Sequence, residues 1–444
     1  MKRRQAQRTM GALALAFGST VYSQNSATVT NAINEGNPPP VAEKTKSDLP
    51  QASKPMFSFE GTDLRIGNMP PITFHGFASQ GLLTSSDYNY MGKTSHGLGS
   101  PEFNEFGFNA SISPFARTRI SAQAFAFDLG NVGNYTPMLD YGLIDYNFCN
   151  EFGIRGGRIR RPSGIYNQFV DVDLARTYVL LPQGVYDARW RDFYASLDGG
   201  SLYGNVNLGK AGSLSYEGFG GMINLVSDGG IARIVENQLR GKGLPFSVDQ
   251  MGSSPLAGVQ LWWNTPVEGL RAGYNIFESL GMNSDASLYH PKAGTIPLHL
   301  DADTLAMQTS LEYVWKSWTF QAECFYRETE QKNTQTMLGA STVTINKNNP
   351  LAWYVGAAYR VNKWMEVGTY YTEAYENNSL LKVASDKYQK DIALTLRFDP
   401  KPWWAIKLEG HHINGTGLLR DDSLNPVRNG DGWFMLALKT TFSF

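Results

Sequence analysis

The sequence predicts an all-β fold, a sixteen-stranded antiparallel transmembrane β-barrel. Three observations carry this. Segments alternate at period two, so one face of each is apolar and the other polar. Short turns alternate with long polar loops along the chain, as in barrels whose strands cross a bilayer. Tryptophans gather beside the short turns, at the level where hydrocarbon would meet headgroups. After the first two dozen residues no stretch approaches the roughly eighteen consecutive apolar residues of a membrane helix.

Taken in order, residues 1–23 read as a secretory signal peptide. Lys2, Arg3, Arg4 and Arg8 precede the apolar run 10–18, and small residues precede Gln24. Residues 24–70 are rich in Asn, Pro, Ser, Thr and Lys and read as a flexible periplasmic arm. Within the arm, Phe57–Ile66 is the one stretch offered as a short strand or plug element. Residues 71–444 form the barrel domain. Its short connections are Ser113-Pro114, Cys149-Asn150, 209–212, 265–268, Lys316-Ser317, Asn362-Lys363 and 399–402. Its long ones are 84–101, 129–136, 161–199, 223–255, 279–302, 331–350, 377–386 and 416–431. Seven turns and eight loops require sixteen strands.

Individual strands show the two faces. In 433–444, Phe434, Leu436, Leu438, Phe442 and Phe444 share a face that Thr440 alone interrupts, opposite Lys439, Thr441 and Ser443. In 403–413, Trp404, Ile406 and Leu408 oppose Lys407, Glu409 and His411; in 391–398, Ile392, Leu394, Leu396 and Phe398 oppose Asp391, Thr395 and Arg397. Charged side chains on the wet faces of neighbouring strands suit a water-filled lumen, whereas a soluble sandwich would bury its inner faces in an apolar core. Trp262, Trp263, Trp315, Trp318, Trp364, Trp403 and Trp404 form the predicted periplasmic girdle.

Composition agrees. Glycine is abundant at 45, aromatics reach 13%, and the net charge is −1, which gives no sign of a nucleic-acid partner. Cys149 and Cys324 are too few for a disulfide framework and are not expected to pair. No Cys–His spacing suits zinc, and no cofactor is expected. His75, His411 and His412 fall on strands, and His96, His290 and His299 in or beside loops, without a Gly-x-Ser-x-Gly element, so no catalysis is expected.

The third loop differs from the others. Its core, Arg160–Tyr186, holds the apolar run Val179-Leu180-Leu181, which must pack against something, and the barrel interior is the available surface. The run of arginines, Pro162-Ser-Gly-Ile-Tyr-Asn167, Asp171-Val-Asp173, Arg176-Thr177 and Leu181-Pro-Gln183 resembles Gram-negative outer-membrane porins of a trimeric, porin-like family, distantly similar to phosphate-selective and other substrate-specific porins. The chain's last strand, with its terminal aromatic, is similar to that of Gram-negative outer-membrane barrels. The resemblance covers about 72–444 and implies a homotrimer in the outer membrane of a Gram-negative bacterium, embedded in its lipid, with the third loop folded inward.

It further implies a constriction in which basic wall residues face acidic loop residues. The wall candidates are Arg117 and Arg119, with Arg155, Arg158, Arg160 and Arg161; Asp171, Asp173 and Arg176 come from the loop. Gly156-Gly157 is a candidate bulge, so alternation does not decide which arginines point inward. Six wall arginines against two aspartates suggest anion preference. The expected function is passive diffusion of small hydrophilic or anionic solutes, without chemistry. The alternative is a non-conducting outer-membrane barrel acting as an adhesin or structural protein through loops such as 223–255 and 279–302. No lysine ladder or aromatic path singles out one solute.

Overall fold

The computed structural model describes residues 57–444 apart from 96, 131, 242–244, 293, 338, 378–383, 420–422 and 429–431. The signal peptide, residues 24–56 of the arm and His96 lie outside the described residues.

The described chain opens with a hairpin of β1 (Phe57–Glu60) and β2 (Asp63–Ile66). The wall begins with β3 (Ile72–Ser85), β4 (Phe103–Ile112), β5 (Thr118–Leu129), β6 (Met138–Cys149) and β7 (Phe152–Arg160). After the third loop, which ends in the short helix α1 (Arg191–Tyr194), come β8 (Ser196–Asn207) and β9 (Ser213–Asn224). Helix α2 (Gly230–Gly241) and strand β10 (Phe246–Met251) occupy the next loop. The wall resumes with β11 (Ser253–Asn264), β12 (Leu270–His290), β13 (Gly294–Trp315) and β14 (Trp318–Met337); β15 (Ala340–Asn348) folds back along the end of β14. Strands β16 (Leu351–Asn362), β17 (Met365–Tyr375), β18 (Tyr388–Lys401), β19 (Trp404–Asn414) and β20 (Trp433–Ser443) complete the ring.

Leaving out β1, β2, β10 and β15, sixteen strands pair antiparallel in sequence, and β20 closes on β3 from Met435↔Ser85 to Ser443↔Phe77. Closure leaves no edge among the wall strands, which is what a bilayer demands of a sheet. The faces separate as alternation requires. Lys407, Glu409, His411, Lys439 and Thr441 are buried, while Leu408, Phe434, Leu436 and Leu438 on the same two strands are exposed. Apolar groups outside and polar groups inside, on a closed even-stranded barrel, place the chain in the Gram-negative outer membrane.

All seven short turns stand where the sequence puts them. Four regions differ. Phe57–Ile66 is ordered: the hairpin turns at Gly61 (φ 63°), and β2 pairs with β3 at Asp63↔Thr73 and Leu64↔Ile72. The flexibility expected of 24–70 therefore does not extend to this hairpin. The loop 279–302 is mostly strand, because β12 and β13 run on to a turn before Gly294 (φ 72°). The loop 331–350 is likewise a hairpin, since the β-branched run Thr342-Val343-Thr344-Ile345 pairs with β14 across Gly339 (φ 79°). Polar composition hid the alternation at the end of β14. Finally, Trp262 leaves the girdle. It is buried beneath the Arg271 guanidinium, 4.4 Å away, while Trp263 faces outward, because neighbours on a strand point to opposite faces. Cys149 and Cys324 are both free thiols.

Candidate functional site

The third loop, residues 161–195, is held by polar groups on the buried faces of wall strands and by apolar packing: Val179 and Leu180 are buried in a cluster with Phe103, Phe125 and Ala374, and Leu181 in one with Tyr370 and Ala393. It is built from tight turns, Asn167–Phe169, Asp173–Ala175 and Ala188–Trp190, running into α1. Two glycines let it approach the wall. Gly164 has φ +55°, and a side chain there would meet Gln308 Nε2 at 2.2 Å. At Gly184 a Cβ would lie 2.7 Å and 2.8 Å from the methyls of Ala374 and Ala352.

Three attachments follow from the sequence of the loop. At the first, Asp173 meets Lys407 at 3.0 Å, Lys439 at 3.4 Å and Arg176 at 3.3 Å, and accepts from Thr441 at 2.9 Å. Lys407 also donates to the carbonyls of Asp173 (2.7 Å) and Arg176 (2.9 Å), and Arg397 donates to Arg176 O at 3.0 Å. Beside them, Glu409 accepts from the backbone N–H of Val179 (2.9 Å) and Leu180 (2.7 Å). A chain reversal leaves such amides without strand partners, and a buried carboxylate is the strongest acceptor available to them.

At the second, Asp171 is paired with Arg160 and with Arg191, whose Nη2 is 3.0 Å away. Asp140 of β6 joins both arginines and accepts from Gln123 at 2.9 Å. At the third, Glu323 of β14 accepts from Ile165 N (3.0 Å), Tyr354 (2.9 Å), Ser310 (2.5 Å) and Tyr186. Ser163 reaches Gln308 at 2.9 Å and Asn275 at 3.2 Å. The partners thus lie on strands around the whole ring.

Burial would raise the Asp171 carboxyl, but the Arg160 and Arg191 charges outweigh it and hold it down to about 2. For Asp173, burial is likewise overcome, by Lys407, Lys439 and Arg176, and the carboxyl sits well below the usual carboxylate range. Both aspartates are charged at neutral pH.

The remaining predicted residues are spread over the barrel. Arg117 caps the turn before β5, at φ 67°, and donates to Phe148 O at 2.5 Å. Arg119, on the inner face of β5, is half exposed, with Asp145 3.8 Å away. Arg155 lies inside, bound to Asp145 and Glu217 at 2.9 Å each and stacked on Tyr203. No register shift occurs at Gly156-Gly157, so alternation persists and Arg158 falls on the outer face. There it pairs with Asp198 at 3.0 Å, in register with exposed Met222. Arg161 is fully buried among the rings of Phe193, Tyr194 and Phe277, 4.2–5.7 Å from its guanidinium carbon, and among the described residues no carboxylate pairs with it. Burial lowers it to about 10, so it stays charged at neutral pH.

Sequence reasoning missed Asp140, Glu323, Lys407, Glu409 and Lys439 as loop partners. The last three stood on predicted wet faces, which marked them as interior, but nothing in a sequence gives the height at which a loop meets them.

The sequence matches no protein-family model and no curated protein. Among solved structures, the outer membrane channel DcaP of Acinetobacter baumannii superposes with TM-score 0.50 at 11% identity, over 85% of this chain and 98% of that one. The trimer form of OmpT, an outer membrane protein of Vibrio cholerae, gives 0.49 at 12% identity over 85% and 100%. The anion-selective porin from Comamonas acidovorans gives 0.45 at 11% identity over 84% and 99%. At these identities the likeness is one of fold. The chain is a sixteen-stranded outer-membrane barrel distantly similar to bacterial porins.

Proposed function

We propose that this barrel is a passive-diffusion channel for small hydrophilic solutes, narrowed by a third loop folded into its lumen. One observation carries the reading: a single loop is hydrogen-bonded to the buried faces of β12 and β13, of β14 and of β18–β20. Only from within a closed ring can one segment reach all of these. The lumen of a sixteen-stranded barrel is wide enough for water and solute around such a loop.

The proposed charge selection is a modest anion preference. Counting arginines against the two loop aspartates overstates it, because Asp140, Asp145, Asp198 and Glu217 neutralise Arg160, Arg155 and Arg158. What supports the preference is the cations left over. Arg119 is open to solvent, and with Arg117, Asp145 and Arg155 it lines a recess beside the turn before β5. Glu323, an acid without a cationic partner among the described residues, is sealed beneath Tyr186 and Tyr354.

No chemistry is proposed. His411 has Nδ1 held by Asp391 at 3.0 Å and Nε2 by Glu409 at 3.1 Å, which leaves neither nitrogen free as a base. Assembly as a homotrimer is proposed on the family resemblance. Liposome swelling tests the channel: vesicles carrying the refolded protein should swell in pentose and more slowly in disaccharide. Vesicles that swell in neither would favour the non-conducting adhesin or structural barrel.

A further inference from the structure

Above the third loop, on the side of the long loops, lies a cavity of about 170 Å3 that none of the attachments uses. One wall is apolar, from Trp190 of the loop, Ile231 of α2, Val248 and Met251 of β10 and nearby, and Met282 of β12. The lining also carries amides, from Asn283, Gln331, Asn346 and Asn348. Arg327 is the one charged residue in the lining.

Arg327 is also chemically unfinished. Its guanidinium carbon lies 4.7 Å over the Trp190 ring, and Nη1 reaches only the Tyr194 hydroxyl at 3.3 Å. Nε is buried with no hydrogen-bond partner, and among the described residues no carboxylate pairs with the side chain. A guanidinium has five donors in a planar fork that matches a carboxylate. Leaving it unpaired beside an apolar wall is unfavourable, and an incoming carboxylate removes that cost. With one cation, no acid and an aromatic face in the same cavity, the complementary ligand carries a single negative charge and an apolar body. The amides suit hydrogen bonds at its polar end.

We propose that this cavity binds small organic monocarboxylates, with Arg327 taking the carboxylate and Trp190, Val248 and Met282 the apolar body. Its place on a solute's route rests on the channel reading above, but binding itself does not. Glu328 follows Arg327 on the outer face of β14, so it does not compete for the guanidinium.

The test is calorimetric titration of the full-length, detergent-solubilised protein with benzoate, and with benzamide as the neutral isostere. Benzoate should bind at least about tenfold more tightly than benzamide, the scale of one charge-assisted contact. Arg327→Gln should remove that difference and leave benzamide unchanged, and Arg327→Lys should restore part of it. Equal binding of the two probes, no benzoate heat with the wild type, or full benzoate affinity in Arg327→Gln would each overturn the proposal. Should Arg327→Gln fail to fold, the wild-type benzoate–benzamide comparison and Arg327→Lys decide. Because the titration needs no ion flow, a barrel that binds benzoate yet never conducts would refute the channel and leave this site standing.

Discussion

Replacing Asp173 with Asn should detach the third loop from β19 and β20 without unfolding the barrel. The carboxylate faces Lys407, Lys439 and Arg176 at 3.0–3.4 Å, and both lysines are fully buried. Removing one partner from a buried ionic cluster costs about 3–5 kcal/mol. The lower end applies here. Lys407 keeps three backbone carbonyls, and Lys439 keeps Glu105 at 2.5 Å. A loss of about 3 kcal/mol shifts a docked–undocked equilibrium by roughly two decades. The sixteen strand pairings are untouched, so that cost falls on the loop. Single-channel recording should show a larger open current or frequent flicker, while the heat-modifiable band of the folded barrel persists. A trace indistinguishable from wild type, in a correctly folded variant, would refute the argument that this carboxylate holds the loop.

Acid should weaken the Asp171 attachment at low pH. Asp171 titrates at about 2 when folded, below the roughly 3.9 of an unfolded aspartate, so its contribution is complete above about pH 4 and is lost as pH falls towards 2. Asp173 is displaced in the same direction. Conductance measured against pH should therefore show added flicker as pH falls from about 4 towards 2; a trace unchanged over that interval would contradict the assignment. Gly184→Val should weaken loop docking too, because its side chain would enter the 2.7–2.8 Å gap to Ala374 and Ala352, and the same flicker should report it. Arg119→Glu should lower the anion preference read from reversal potentials under a salt gradient, whereas Arg158→Glu, on the outer face, should leave it unchanged.

Strand alternation and turn chemistry made the barrel legible. Short turns carry their signals, such as Gly209 to Gly212 between β8 and β9, or the two-residue Lys316-Ser317 connection, with Lys316 at φ 54°. The long hairpin β14–β15 was harder to read, since the end of β14 is polar on both faces and period two then leaves no contrast; in β12–β13 the alternation of Ala286 and Leu288, and of Ile296, Leu298 and Ala302, was present but set among polar residues. Trp262 shows a different limit: nearness to a turn does not specify a face, and Arg271 and Gly273 hold it inside. In the site, residue types were readable and partners were not. Arg160 was visible as a wall candidate and Asp171 as a loop acid, but Asp140, which completes their network, comes from a strand whose register against β7 is set by pairing. For Arg158, the deciding fact was the unbroken ladder through Gly156-Gly157.

The most direct test of the central claim is planar-bilayer recording of the refolded wild-type protein under a potassium chloride gradient. Stable, discrete conductance steps are expected, with a reversal potential modestly favouring chloride. A folded, heat-modifiable barrel that inserts and never conducts would contradict that claim.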